Sequence, residues 1–128
     1  DQKRGRERGQ NIIFKMVLDN IRIVHLGDLG HIPDKEQVEA IGEVDILLVP
    51  VGGTYTINAA EAFSVVELLQ PRIVIPMHYK TPHCTIQLDP LERFTARFDK
   101  FARVPVLEVD QNSLKDKPGV VVMEYPAP

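Results

Sequence analysis

The chain contains 128 residues, of which 44% are hydrophobic and 26% are charged, and these proportions are typical of one globular domain. Its formal net charge of −3 is too small to attract a nucleic acid or a membrane surface over a distance. No apolar run approaches the roughly 20 residues of a membrane-spanning helix. The sequence therefore predicts a single soluble domain, residues 1–128, with no nucleic-acid or membrane partner.

Cys84 is the single cysteine of the sequence. One cysteine forms neither a disulfide framework nor a zinc cluster of thiolates, and its isolation suits a reducing cytoplasm. The predicted location is therefore cytoplasmic.

Residues 1–11 are polar throughout and predict a loop or arm. A solvated loop explains this segment better than a phosphate-binding surface does. Its basic side chains are Lys3, Arg4, Arg6 and Arg8. Because the chain begins with Asp1 rather than Met, we expect it to be part of a longer protein.

Residues 12–18 and 21–26 are rich in β-branched and aromatic side chains, and only Asp19 and Asn20 separate them. Asp and Asn tolerate the positive φ angles that a two-residue hairpin turn requires. The sequence therefore predicts a β-hairpin over residues 12–26.

Helices and buried strands alternate after the hairpin. A short helix is predicted after Asp34, with Val38 and Ile41 on its apolar face. A longer helix is predicted between Asn58, its candidate N-cap, and Pro71. The remaining predicted elements are strands over 45–51 and 72–79, a helix over 90–102, and final strands over 104–109 and 120–125.

This alternation predicts a mostly parallel α/β sheet, in which functional side chains gather at the carboxyl ends of the strands. Asp28, Gly53 and His78 each stand at the end of a different predicted strand. A carboxylate and an imidazole are suitable ligands for zinc or manganese. A structural interpretation instead makes Asp28 a turn cap and His78 a buried side chain, and two ligands alone leave both interpretations open.

Other polar residues near these strand ends are candidate substrate contacts. The turn that contains Gly53 and Thr54 is glycine-rich and precedes a helix, so its backbone N–H groups could hold a phosphate. It lacks the Lys-Ser/Thr ending of a nucleotide-binding loop. Tyr79 and Lys80 could contact an anionic substrate group, although long polar side chains at a strand end are usually just solvated.

The other histidines carry less functional signal. His31 could support the site from behind Asp28 or contact the substrate, and a surface histidine after a turn is an equally good interpretation. His25 lies within a strand, which favours a structural role. His83 and Cys84 resemble a pair of ligands for a soft metal ion. Adjacent side chains seldom point at one ion, however, so we favour an ordinary loop.

Four motifs occur in one order: RGxN, HLGDLGH, DILLVPVGGTYTINAAEA and PRIVIPMHYKT. This set resembles the carboxyl-terminal half of the metallo-β-lactamase superfamily over roughly residues 1–110. It is most similar to small prokaryotic hydrolases related to ascorbate-6-phosphate lactonases and to the phospholipase D that acts on N-acyl ethanolamine lipids.

The resemblance implies a role for each matching residue. The aspartate of the GD motif bridges two metal ions in that family, which implies this role for Asp28. The histidine of the P-M-H-Y motif, here His78, ligates the second ion. The ions would be zinc, manganese or iron. The other ligands would come from an upstream H-x-H-x-D-H cluster and from a histidine just before Asp1, both outside this chain.

The resemblance also implies a fold and a function. The chain would be half of an αββα sandwich, a mixed sheet with helices on one face. Its other face would be covered by the missing amino-terminal half or by a second copy. The function would be metal-dependent hydrolysis of a small lactone, phosphoester or amide by hydroxide, with the isolated chain inactive. The alternative is a non-catalytic α/β module that binds a partner or itself through its sheet face.

Overall fold

A computed structural model describes residues 11–116 and 119–124. Most of the predicted arm, residues 1–10, and the last residue of the predicted final strand, Tyr125, lie outside these ranges. Within the described ranges, no helix is long and apolar enough to cross a membrane. The elements in chain order are β1 (Phe14–Leu18), β2 (Ile21–His25), α1 (Lys35–Ile41), β3 (Ile46–Pro50), α2 (Ala59–Leu69), β4 (Ile73–Met77), α3 (Glu92–Thr95), β5 (Phe101–Val104), α4 (Gln111–Lys115) and β6 (Gly119–Met123).

The strands form a mixed six-stranded sheet in the order β1-β2-β3-β4-β6-β5. Strand β1 pairs with β2 in the antiparallel direction, whereas the other four pairings are parallel. The predicted fold class, a mixed α/β sheet, is therefore confirmed. The parallel pairing places the carboxyl ends of β2, β3 and β4 at one edge of the sheet.

The hairpin between β1 and β2 turns at Asp19 and Asn20, as the sequence predicts. Their φ angles are 50° and 64°. Positive φ at both central residues is what a type I′ turn requires, and its twist matches the twist of the flanking strands.

One face of the sheet is covered by the first three helices. Side chains alternate along each strand, so Val24, Leu47 and Val74 point to the same face and are buried there. They belong to one apolar cluster with residues of the helices. The helical members of this cluster are Ile41 of α1, Ala59, Ala62, Val65 and Leu69 of α2, and Phe94 of α3.

The opposite face, which we call the second face, is apolar but only partly covered. Ile46, Ile73 and Val121 point to it and are buried together with Leu114 of α4. An open groove of about 650 Å³ crosses this face. Its lining includes Ile21, Ile23, Leu48, Ile75, Val106, Leu107 and Met123.

The last third of the chain differs from the sequence prediction. The helix predicted over residues 90–102 is wrong in length, because α3 ends at Thr95 and Phe101 begins β5. Phe101 pairs with Val120 in the sheet, and this pairing prevails over the helical spacing of the aromatic residues.

The strand predicted over residues 104–109 is also wrong. Strand β5 ends at Val104, and Pro105 after it has no N–H group with which to continue the ladder. The following Leu107 and Val109 pack against the second face instead. Helix α4 was not predicted, although Asp110 caps it through the backbone N–H of Ser113.

A buried carboxylate joins the amino-terminal ends of β2, β3 and β4. Asp45 is 4% exposed, and its Oδ2 accepts hydrogen bonds from the backbone N–H and the Nε of Arg22 at 2.8 and 3.1 Å. The Nε of Arg72 lies 3.7 Å from Oδ1. Burial alone would raise the pKa of Asp45, but the hydrogen bonds from Arg22 outweigh burial and hold that pKa below its ordinary value.

We expect Asp45→Asn to lower the free energy of unfolding by about 1–2 kcal/mol at pH 7, because it weakens charge-assisted hydrogen bonds to a partly exposed arginine. Since the pKa is lowered in the folded state, this contribution is complete well above the ordinary value of about 3.9. It is lost as the pH falls through the folded-state pKa. Urea unfolding at pH 7 and at pH 3 measures it, with exposed Asp99→Asn as control; an equal deficit at both pH values would contradict the assignment.

Candidate metal centre

Asp28 and His78 come together at the carboxyl edge of the sheet. Asp28 follows β2 and His78 follows β4, and the Nε2 of His78 lies 3.3 Å from the Oδ1 of Asp28. The side chain of Asp28 is 70% exposed and that of His78 is 43% exposed. The pair is therefore reachable from solvent, unlike the buried carboxylate at the opposite edge.

The pair opens on a cleft of about 350 Å³. Apart from Asp28 and His78, the residues that line it are Gly53, Tyr55, Thr56, Ile86 and Leu88. Tyr55 and Ile86 are 62% and 51% exposed. The described walls of the cleft thus combine one acidic and one imidazole side chain with uncharged, largely apolar neighbours.

A close backbone approach holds His78 in place. A Cβ atom added at Gly52 would lie 1.9 Å from the carbonyl oxygen of His78, so only glycine fits there. His78 itself has a φ of 54°, which ends β4 and turns the chain away from the strand direction. The neighbouring N–H of Val51 donates to the carbonyl of Met77 at 3.0 Å.

The glycine-rich turn is held by its own hydrogen bonds. Gly53 and Thr54 have φ angles of 71° and 64°, and the carbonyl of Gly53 accepts from the N–H groups of Tyr55 and Thr56 at 2.8 and 3.2 Å. The hydroxyl of Thr54 donates to the carbonyl of Gln87 at 2.6 Å. Gly53 consequently lines the cleft, while the Thr54 hydroxyl ties the turn to the loop that follows β4.

Tyr79 and Lys80 lie beside the site in sequence but are not among the residues that line the cleft. Tyr79 packs against the main apolar cluster. The backbone N–H of Lys80 donates to the carbonyl of Asp89 at 3.0 Å. The structure thus separates these two predicted substrate contacts from the Asp28–His78 pair.

His31 and His25 take other positions. The Nε2 of His31 lies 3.2 Å from the Oε1 of Gln37, a residue of the capping box of α1, and His31 does not line the cleft. The Nδ1 of His25 accepts a hydrogen bond from the N–H of Gly27 at 3.0 Å. The rings of His25 and Phe14 also meet in a T-shaped contact, with 6.4 Å between centroids.

His83 and Cys84 lie in the loop after β4, where the Cys84 thiol contacts the carbonyl of Ile86 at 3.3 Å. Neither lines the cleft. Within residues 11–116 and 119–124, no group of three or more His, Cys, Asp or Glu side chains is placed to hold a metal ion.

The donor atoms of the pair match the chemistry of a metal ion. A carboxylate and an imidazole nitrogen are among the ligands of zinc, manganese and iron, and their atoms converge within 3.3 Å. The pair therefore fits part of a metal centre, and would supply two of the three or four protein ligands that zinc sites use.

Sequence reasoning missed three sets of residues near the pair. Ile86 and Leu88 belong to an irregular loop with no periodic pattern, so no local signal predicts that they line the cleft. Tyr55 belongs to the glycine-rich turn, and no local signal distinguishes it there as a residue that lines the cleft. Asn11 is the last residue of the RGxN motif, but only the structure shows its contacts with the Asp28 loop.

The fold and the pair define a class, an α/β protein that presents metal-ligating side-chain types at the carboxyl ends of its strands. The sequence profile described as the beta-lactamase superfamily domain matches residues 1–78. The chain belongs to the metallo-β-lactamase superfamily, and the superfamily predicted from the sequence is confirmed.

Similar proteins come from archaea and bacteria. The chain is 45% identical over 75 residues to the UPF0173 metal-dependent hydrolase of Thermoplasma acidophilum, which covers 59% of this chain and 33% of that protein. It is 37% identical over 115 residues to the UPF0173 metal-dependent hydrolase of Pyrobaculum arsenaticum, and this match covers 90% of this chain and 47% of that protein. The chain thus spans between a third and a half of the length of these relatives.

A solved structure from Thermotoga maritima, described as a proposed zinc-dependent hydrolase of the metallo-beta-lactamase superfamily, has the same fold. The two chains are 48% identical and superpose with a TM-score of 0.81. The match covers 90% of this chain and 59% of that one.

We expect Gly52→Ala to destabilise the fold by about 3 kcal/mol, because its new methyl group would overlap the His78 carbonyl. Gly119→Ala is the control, since a Cβ atom there meets nothing within 4 Å and a φ of 76° is the sole penalty, worth about 1–2 kcal/mol. Urea unfolding of both variants gives the comparison. Equal losses would show that the close approach to His78 is not required.

Proposed function

We propose that this chain is part of a metal-dependent hydrolase. The observation that carries the proposal is the Asp28–His78 pair, 3.3 Å apart at the carboxyl edge of the sheet. The names of the relatives, metal-dependent hydrolases, support it. Asp28 would bridge two ions, because its two oxygens can serve two cations, and the Nε2 of His78 would ligate the second ion.

We propose zinc as the metal, with manganese and iron as alternatives that the same ligands accept. Two ions would be present in the complete protein, and the remaining ligands would come from the part of the relatives that precedes this chain. Such ions act as Lewis acids and lower the pKa of water to near neutrality. The isolated chain, with two ligands, would bind metal weakly and hydrolyse nothing efficiently.

The cleft would accept the uncharged part of a lactone, phosphoester or amide. Tyr55, Ile86 and Leu88 form its largely apolar wall next to the pair, so they would exclude water from one side of the reacting group. Gly53 lines the cleft and is the proposed substrate contact with the strongest support. Thr54, Tyr79, Lys80 and the supporting role of His31 stay predictions, as does the closer likeness to ascorbate-6-phosphate lactonases and N-acyl ethanolamine phospholipase D.

We expect the purified chain to bind Zn²⁺ measurably, and Asp28→Ala and His78→Ala each to weaken this binding by at least about tenfold, since each removes a ligand. Isothermal titration calorimetry measures the affinity. Matched controls are Asp99→Ala and His83→Ala, which remove the same side-chain types outside the cleft. Equal Zn²⁺ affinity in all five proteins would refute the proposed centre.

The apolar second face of the sheet supports a further proposal, because the alternative function, a module that binds a partner or itself, would use this face. Opposed residues of the β1–β2 hairpin share a face, so Met16 lies on the same side as Ile23 and extends this apolar surface. Phe14, Met16 and Leu18 are 56%, 47% and 57% exposed. A continuous apolar surface of this size is characteristic of an interface.

We propose that the upstream half of the longer protein covers the second face, and that two copies of the isolated chain pair through it. Met16→Lys should then weaken self-association, because it places a charge in the apolar contact. Val17→Lys is the control, since Val17 is also exposed but points to the opposite face. Multi-angle light scattering at micromolar concentration measures the molar mass of each variant in solution. A monomeric wild-type chain would contradict pairing.

A further inference from the structure

The loop between β2 and Asp28 has its backbone polar groups bound by side chains. The carbonyl of Leu26 accepts from the Nδ2 of Asn11 at 2.7 Å, and the N–H of Asp28 donates to the Oδ1 of Asn11 at 2.8 Å. The N–H of Gly27 between them donates to the Nδ1 of His25. A three-residue segment with three such contacts has little freedom to rotate.

Asn11 reaches this loop because of the hairpin register. Phe14 pairs with His25 in the antiparallel ladder, so the same register carried outward places Asn11 opposite Asp28. Backbone pairing has ended at this point, and the two hydrogen bonds of the Asn11 carboxamide, which we call the Asn11 bridge, replace it. An amide side chain suits the position because it both donates and accepts.

Gly27 shows how closely the Asn11 bridge fits. A Cβ atom added at Gly27 would lie 2.5 Å from the Oδ1 of Asn11 and 2.8 Å from the carbonyl oxygen of Ile12. Gly27 also has a φ of 60°, which favours glycine. Gly27, the glycine of the GD motif, is thus required for two reasons: Asn11 leaves no space for a side chain, and the turn has a positive φ.

We propose that Asn11 is the positioning residue of the site: it holds the backbone of Asp28 so that the Asp28 carboxylate faces His78. The inference rests on the proposed function for its importance to metal binding. Its geometric part does not, because the Asn11 bridge and the Asp28–His78 approach are properties of the chain itself.

Asn11→Ala tests the proposal on the full chain. Two NMR measurements report on geometry: hydrogen exchange of the Asp28 amide, and nuclear Overhauser contacts between the Asp28 β-protons and the His78 ring. We expect exchange of that amide to become roughly three- to tenfold faster, the range of one typical hydrogen bond, and the contacts to His78 to disappear.

Gln111→Ala is the matched control. The Nε2 of Gln111 donates to the carbonyl of Asn20 at 2.9 Å, so this variant also removes an amide-to-carbonyl hydrogen bond, but at the opposite end of the hairpin. It should leave the Asp28 amide and the His78 contacts unchanged. Retention of those contacts in Asn11→Ala would overturn the proposal, because Asn11 would then hold the loop without orienting the carboxylate.

Mn²⁺ titration separates this inference from the proposed function. Paramagnetic broadening of the His78 ring signals should need about tenfold more Mn²⁺ in Asn11→Ala than in the wild type or Gln111→Ala. Equal broadening in Asn11→Ala would overturn the positioning role. If Mn²⁺ broadens nothing in the wild type, the proposed metal centre fails, while the exchange and Overhauser measurements still decide the role of Asn11.

Thermal melting tests the contact between Asn11 and Gly27 independently of the NMR signals. Gly27→Ala should lower the melting temperature less in the Asn11→Ala background than in the wild type, because the new methyl group no longer meets the Asn11 oxygen. Equal shifts in the two backgrounds would show that Asn11 and Gly27 do not interact.

Discussion

The candidate site depends on the parallel register of the three central strands. His25 pairs with Leu48, and Pro50 pairs with Met77, so β2, β3 and β4 end within a few residues of one another. This register brings Asp28 to His78, although 50 residues separate them in the sequence. A slip of one residue in any of these strands would turn its side chains to the opposite face and remove residues such as Val24 and Leu47 from the cluster under the helices.

The parts of the fold that the sequence predicts well have local causes. The β1–β2 turn follows from two adjacent residues that tolerate positive φ, and α1 and α2 follow from N-caps at Asp34 and Asn58. The segment from Phe98 to Val109 has competing local signals instead. Aromatic residues at helical spacing are equally good strand residues, and the partner that decides, β6, lies later in the chain. No local pattern contains that information.

The same distinction applies to the site. The positions of Asp28 and His78 follow from the rule that strand ends carry function. The surroundings of His78 do not, because its φ of 54° ends the strand two residues before the predicted end at Tyr79. After this turn, Tyr79 packs against the apolar cluster under the helices, and the backbone N–H of Lys80 donates to the carbonyl of Asp89. A pattern of apolar residues shows where a strand lies, but it does not show that a single residue with positive φ ends the strand.

The two edges of the sheet hold carboxylates in opposite environments. Asp45 is 4% exposed, and Arg22 and Arg72 surround its oxygens, so little capacity is left for a cation. Asp28 has a 70% exposed side chain whose Oδ1 lies 3.3 Å from the Nε2 of His78, while its backbone is held by Asn11. The protein fixes the main chain of Asp28 and leaves its oxygens accessible, and this combination is what a metal ligand needs.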